Sequence, residues 1–422
     1  VNQVAAASRP ETRPRPETRP RITAIDVFRG ITIAAMLVVN NPGDEANTFP
    51  QVAHSAWNGC TIADLVFPAF LVVLGVTTQL SLSAHATGAP HAFPWRAVLR
   101  RAGWLMLAGL LLNAYPFFEK HASAGPAWLP APLAHVMTRL AQLRVTGVLQ
   151  RISVVYVATA VLAHALSPRR FLAALVALLT GYWLLLAFVP APGSNAAGLL
   201  LRETMTTPAA TLPVWLDWQL LDWERWGLGW HLWDRARAFD PEGVLSTVAA
   251  VATGMLGVVA GRELTAQRPL TTRVQRVAVM GALLVVIGLL WSLALPLNKP
   301  LWTSSYALFT AGVAMLGLAG ASWLADVRAS DVRARLVEPW LVFGTNPFLM
   351  YIGSELLASI LRSSIKWRVD GRLISTGGAV TRLFTTQGVP APWASLAWSL
   401  LFTVGCWLLV RPLYRRRIFV TL

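Results

Sequence analysis

The sequence is short of charge. Only 13% of its 422 residues are charged while 55% are hydrophobic, against roughly 25% charged residues in an ordinary soluble domain, which excludes a water-soluble globular protein. It is also short of cysteine. Cys60 and Cys406 are the only two, one in a loop and one in an apolar stretch, so a disulfide scaffold is excluded and both are expected as free thiols. The hydrophobic blocks lack strict alternation, which excludes a transmembrane barrel. There is no Walker loop, no dinucleotide glycine fingerprint after a strand and no HExxH helix, and no metal is expected.

What is present is a series of apolar blocks of about 17 to 22 residues, the length that crosses a hydrocarbon core of about 30 Å. The expectation is an all-α, polytopic helical membrane protein with about ten spans, near 24–40, 64–83, 97–113, 147–165, 171–189, 243–260, 277–295, 304–325, 340–361 and 394–410. Residues 1–22, rich in Pro, Arg, Glu and Thr, read as a disordered cytoplasmic tail, and 23–422 as one transmembrane domain.

The net charge of +16 does not imply nucleic acid, because the arginines sort by side of the membrane. Arg29, Arg96, Arg100, Arg101, Arg169, Arg170, Arg262, Arg276 and the run Arg415 to Arg417 fall on the side of the tail. Both termini are then expected in the cytoplasm of a multi-pass membrane protein. Three loops fall outside: 114–146, 190–242 and the basic 362–393. The second carries Trp215, Trp218, Trp223, Trp226, Trp230 and Trp233 beside Asp217, Asp222, His231 and Asp234. These tryptophans read as an interfacial belt or as stacking faces for a sugar ring.

Polar groups at membrane depth need a partner or a purpose. Asp26 and Arg29 share one helical face at the start of the first span. The span ends at Asn40, Asn41 and Pro42, and HSAWNGCTIADLVFP follows from His54 to Pro68. An imidazole titrates near neutrality and can take and return a proton, which makes His54 a candidate base. Asn40, a neutral amide at the same end of the hairpin, can donate to an oxyanion. Asp64 either orients an imidazole or caps its helix. Asp240 and Glu242, in FDPEGVLST, either suit a helix N-terminus or bind an outside substrate. Gln150 and Arg151 begin the fourth span, Asn298 and Lys299 end the seventh, and Asn346 with Pro347 should break the ninth in a place that lines a cavity. The inner arginines either obey the positive-inside rule or recognise phosphate.

The string DVFRG, then VNN, then HSAWNGCTIADLVFPAFLVVLG resembles the opening of the heparan-α-glucosaminide N-acetyltransferase family and its bacterial inner-membrane relatives. VLRR (98–101), GVLQRISVVY (147–156), FDPEGVLST (239–247) and LNKPLWTSSY (297–306) continue the resemblance in order. The family's lysosomal members carry a further span and a lumenal domain ahead of this core, and the expectation here is the core alone. The resemblance implies acetyl transfer from cytoplasmic acetyl-CoA to the amine of a glucosamine-type sugar on the periplasmic side. It gives His54 the catalytic role and Asn40 the place beside the acetyl group. Arg29, Arg100, Arg101 and Arg276 are expected at the CoA phosphates, and Asp64, Trp57, Asp240, Glu242, His231, Gln150 and Arg151 around the acceptor.

A pantetheine arm of roughly 15 to 20 Å crosses only part of a core of about 30 Å, so the acceptor site should dip inward near Pro68 and Asn346. A homodimer is implied by the family alone. Ser354 stands where lysosomal members have a histidine, and that histidine's role does not transfer. The rival reading is an amino-sugar transporter without acyl transfer, against which no inverted repeat is visible.

Overall fold

A computed structural model describes residues 22–85, 93–115, 130, 133, 136–137, 140–193, 211–224, 231–232, 239–328 and 331–420. The expected tail up to residue 21, and Trp226, Trp230, Trp233 and Asp234, lie outside the described residues. The protein is all-α and polytopic. Its helices are α1 Thr23–Asn40, α2 Ile62–His85, α3 Trp95–Ala114, α4 Val148–Ala165, α5 Pro168–Phe188, α6 Leu212–Leu221, α7 Val244–Thr265, α8 Leu270–Trp291, α9 Ser304–Ser322, α10 Asp331–Gly344, α11 Pro347–Ser359, α12 Thr376–Thr386 and α13 Ala391–Arg415.

Nine helices among the described residues are long and apolar enough to cross a membrane: α1 to α5, α7, α8, α9 continued to Val327, and α13. The tenth expected span, 340–361, is instead two short helices, α10 and α11, that meet at Asn346. Pro347 opens α11 at a position where its missing N–H costs nothing. The Asn346 side chain turns away from the helix, donating to the Ile418 carbonyl at 3.1 Å and accepting the Val420 N–H at 2.8 Å. The loop 362–393 also differs from a plain connector. It holds a hairpin of β1 Lys366–Val369 and β2 Arg372–Ser375, antiparallel with Lys366 opposite Ser375, followed by α12.

Helices α2, α7 and α9 form the centre, and α3, α5 and α8 keep most of their surface outward. Leu283, Val286 and Leu290 on α8 are exposed, as expected where the solvent is lipid. In a bilayer, close approach and packing take over from water exclusion as the force between helices. Gly30 of DVFRG shows it: a Cβ there would lie 1.8 Å from the Trp340 carbonyl oxygen, and one on Gly344 would lie 1.8 Å from that of Asp26. Helix α1 therefore touches α10 backbone to backbone. On α2 and α7, Gly75 and Gly257 do the same against Gly254 and Val72.

Candidate active site

The segment between α1 and α2 is folded by its own polar groups. Thr61 precedes α2, and its N–H and hydroxyl both donate to the Asp64 Oδ2 at 3.1 Å, a carboxylate in the third helical position reaching back to the cap. The same oxygen accepts the Ser55 N–H at 3.1 Å. The other oxygen, Oδ1, stands 2.8 Å from His54 Nδ1. Asp64 therefore fills both roles left open by the sequence, capping the helix and orienting the imidazole. The bond at Nδ1 leaves Nε2 of His54 without a partner among the described residues, on a ring that is 45% exposed.

A second loop, between α8 and α9, closes on this one. Gly59, with φ of +116°, donates its N–H to the Leu297 carbonyl at 2.8 Å, and Asn298 Nδ2 donates to Asn58 Oδ1 at 3.0 Å. A side chain at Gly59 would be strained by that φ. The docking brings Lys299 Nζ to 3.1 Å from His54 Nδ1 and 3.5 Å from Asp64 Oδ1. Burial lowers the affinity of Lys299 for its proton, against the pull of Asp64 and Glu242. Burial, with Asp64 beside it, pushes the Cys60 thiol up to about 12, so Cys60 is no thiolate nucleophile at neutral pH. Among the described residues no group of three His, Cys, Asp or Glu side chains converges as a metal site.

One cavity of about 620 Å³ joins this cluster to the far end of the bundle. His54, Asn40, Lys299 and Glu242 line it at one end, and Arg29 and Arg101 at the other. Arg29 and Asn40 are both on α1, separated by about 16 Å of helix at roughly 1.5 Å per residue. Its middle is apolar, with Phe67, Phe70, Leu74 and Ile152. The broken helix contributes Pro347, Phe348 and Tyr351, but its break lies at the arginine end, where Arg29 donates to the Gly344 carbonyl, and not where the acceptor site was expected to dip inward.

Residues 21–213 match the model of the heparan-alpha-glucosaminide N-acetyltransferase catalytic region. The human heparan-alpha-glucosaminide N-acetyltransferase is 28% identical over 395 residues, 82% of this chain and 55% of the relative. The mouse protein of the same name is 28% identical over 84% of this chain and 56% of its own length. The chain is related to the heparan-α-glucosaminide N-acetyltransferase family. It spans about half the length of these relatives.

Of the residues tied to chemistry by likeness to the N-acetyltransferase family, His54 and Asn40 line the same cavity. Among the four expected phosphate-binding arginines, Arg29 and Arg101 line it and two do not. Arg29 also donates to Asp26 and to the Gly344 carbonyl, both at 3.3 Å, and Arg101 lies 4.9 Å over the Tyr156 ring. Arg100 is exposed, and Arg276 sits in an exposed ion pair with Glu263 at 2.8 Å.

The expected acceptor residues divide as well. Glu242 reaches the cavity, held by Arg144. Asp240 is buried behind it, 2.5 Å from both Arg144 Nη2 and the Thr146 hydroxyl. Burial pushes the Asp240 carboxyl up, but Arg144 and Thr146 more than offset this and hold it below the usual range. Arg151 is buried between α4 and α7, donating to Thr247 at 3.0 Å and Ser246 at 2.5 Å with its guanidinium 5.0 Å over Trp302. Trp57 packs edge-on against Phe239. His231 is buried, its Nδ1 2.7 Å from the Leu143 carbonyl and its ring against Trp223. Neither Trp57 nor His231 lines the cavity, and Gln150 belongs to a smaller pocket beside it.

Two residues that the sequence did not tie to His54, Lys299 and Tyr351, line the cavity as well. The sequence signal for Lys299 was present in the polar turn Asn298–Lys299–Pro300 at a span end, but nothing local connects it to His54.

Proposed function

We propose that this chain is a transmembrane acyltransferase that moves an acetyl group from acetyl-CoA to the amine of a glucosamine-type sugar. The observation that carries this reading is the single cavity with two arginines at one end and the His54, Asp64 and Lys299 cluster at the other. Its length along α1 suits an extended pantetheine arm, its apolar middle suits the arm's methylenes, and the guanidinium fork suits phosphate oxygens. Positive-inside topology puts the arginine end in the cytoplasm, with both termini, and His54 toward the periplasm of a bacterial inner membrane.

With Nδ1 held by Asp64, Nε2 of His54 takes the proton from the attacking amine. The nitrogen bonds to the thioester carbon, the carbonyl electrons move to oxygen, and the Asn40 amide and the Lys299 ammonium stabilise that charge. Collapse breaks the carbon–sulfur bond. The thiolate leaves on CoA and takes the proton back from His54. Asp64 steadies the imidazolium in between.

The test uses purified protein in detergent with acetyl-CoA and glucosamine, following free CoA thiol. Wild type should release CoA only with the amine present, and His54→Ala and Asn40→Ala should lose most of it. Intact CoA across a panel of amino sugars, with the sugar still bound or moved, would replace this reading with that of a carrier.

A further inference from the structure

Beside the long cavity lies a second pocket of about 230 Å³, formed by the ends of α3, α4 and α11. The two share a wall made of Val148, Leu149 and Tyr351. Where the long cavity is apolar in its middle, this pocket is lined by Asn113, Gln150, Glu355, Ser359, Arg362 and Ser363. Two of these side chains are left with unused capacity. Gln150 is 5% exposed, and its Nε2 has no hydrogen-bond partner among the described residues. Two glycines make room for it, since a Cβ at Gly109 or Gly147 would fall 2.4 or 2.7 Å from its Oε1.

Glu355 is the second. Its carboxylate accepts from the Asn40 side chain, and Arg362 attracts it from beyond ion-pair distance. Among the described residues no cation pairs with it directly. A carboxylate withdrawn from water without an ion-pair partner favours any cation that enters. Asn40, its one hydrogen-bonding neighbour, lines the long cavity, so a cation held at Glu355 stands one side chain away from the cavity's reacting end.

We infer that this side pocket is the acceptor subsite, taking a single hexosamine ring with its ammonium at Glu355 and a ring hydroxyl at the Gln150 amide. The inference rests on the acyltransferase reading and specifies how the amine arrives: the Glu355 carboxylate first holds the ammonium and then takes one of its protons, which passes on to solvent, so that the nitrogen meets the thioester as a neutral amine. The donor then occupies the long cavity and the acceptor the short one, and Asn40 is the residue common to both. Tethering the ammonium by a carboxylate selects amino sugars over their hydroxyl counterparts, because a neutral hydroxyl leaves the charge uncompensated.

The test compares wild type with Glu355→Gln, which keeps the shape and removes the charge, and with Ser359→Trp, which fills the pocket away from the donor cavity. Acceptor KM is read from glucosamine-dependent CoA release, and CoA affinity from calorimetry on the same preparations. The expected result is an acceptor KM raised tenfold or more in both variants, with CoA affinity within twofold of wild type. Glucose should compete with glucosamine poorly in wild type and comparatively better in Glu355→Gln. An acceptor KM within twofold of wild type in both variants overturns the subsite while leaving acyl transfer standing. If wild type releases no CoA, the acyltransferase reading fails by itself, and the pocket is judged by direct calorimetric binding of glucosamine. Binding lost in both variants supports it, and binding that is unchanged or absent in wild type overturns it.

Discussion

Lys299 Nζ stands 3.1 Å from His54 Nδ1, although 245 residues of chain separate them. The pair is held from both sides, by Asp64 below and by the Asn58–Asn298 bridge between their loops. A cation pressed against a histidine serves a mechanism only if the histidine's free nitrogen and the cation's free hydrogens meet different atoms of the substrate. The cavity supplies that arrangement, since His54 and Lys299 both line it.

Lys299→Met should therefore lower kcat by about 10² to 10³, the usual effect of removing one oxyanion donor, with little change in donor KM. Because burial depresses the affinity of Lys299 for its proton, the ammonium is lost at a lower pH than in an ordinary lysine. Wild-type kcat should fall on the alkaline side, and Lys299→Arg, which stays charged, should move that limb upward. A pH profile of kcat for the two proteins decides it. Identical alkaline limbs would remove Lys299 from the chemistry.

The two pairs of arginines should behave differently. Arg29→Ala and Arg101→Ala each remove a charge from the cavity mouth and should raise donor KM by roughly tenfold or more, as expected for a hydrogen bond to a charged group worth about 1.5 kcal/mol or above. Arg100→Ala and Arg276→Ala should leave it unchanged. Arg276 faces away in an ion pair with Glu263 in which it is itself 50% exposed, a class of contact worth little. Titration of acetyl-CoA against the four variants separates the positive-inside arginines from the ligand-binding ones.

The α6–α7 contact should make stability depend on pH. Asp217, 2% exposed, accepts the Val244 N–H at 2.7 Å, and burial raises its carboxyl from 3.8 to about 7. A folded-state value above the unfolded one means that this carboxyl's stabilising effect is full below about pH 4 and is lost as pH rises to about 7. The loss amounts to roughly 2 to 4 kcal/mol. Asp217→Asn keeps an oxygen for Val244 and should flatten Tm across that window while raising it at neutral pH. An unchanged slope in a thermal scan series from pH 4 to 7 would show that Asp217 does not titrate there.

Gly30→Ala and Gly344→Ala should each destabilise the bundle, by about 1 to 3 kcal/mol or more. In both, the new methyl meets a backbone carbonyl rather than a movable side chain. Ala at Gly353 meets nothing within 4 Å and is the control. Melting temperatures in detergent for the three variants provide the check.

The resemblance running from DVFRG to ADLVFP pointed to the family, and the block lengths pointed to helices across a bilayer. Both follow from local rules: a hydrocarbon slab demands about 20 apolar residues per crossing, and Asn346–Pro347 cannot continue a helix that needs every N–H. His54 and Asp64 are ten residues apart, near enough for their partnership to be suspected from the loop alone. Lys299, Glu355 and the wall between the two cavities were beyond that reach. Their neighbours come from helices hundreds of residues away, brought together by backbone-close crossings such as that of α1 with α10. The division among the arginines was hidden for the same reason. Charge count fixes the side of the membrane on which an arginine lies, but only packing decides whether it faces lipid headgroups, a carboxylate or a cavity.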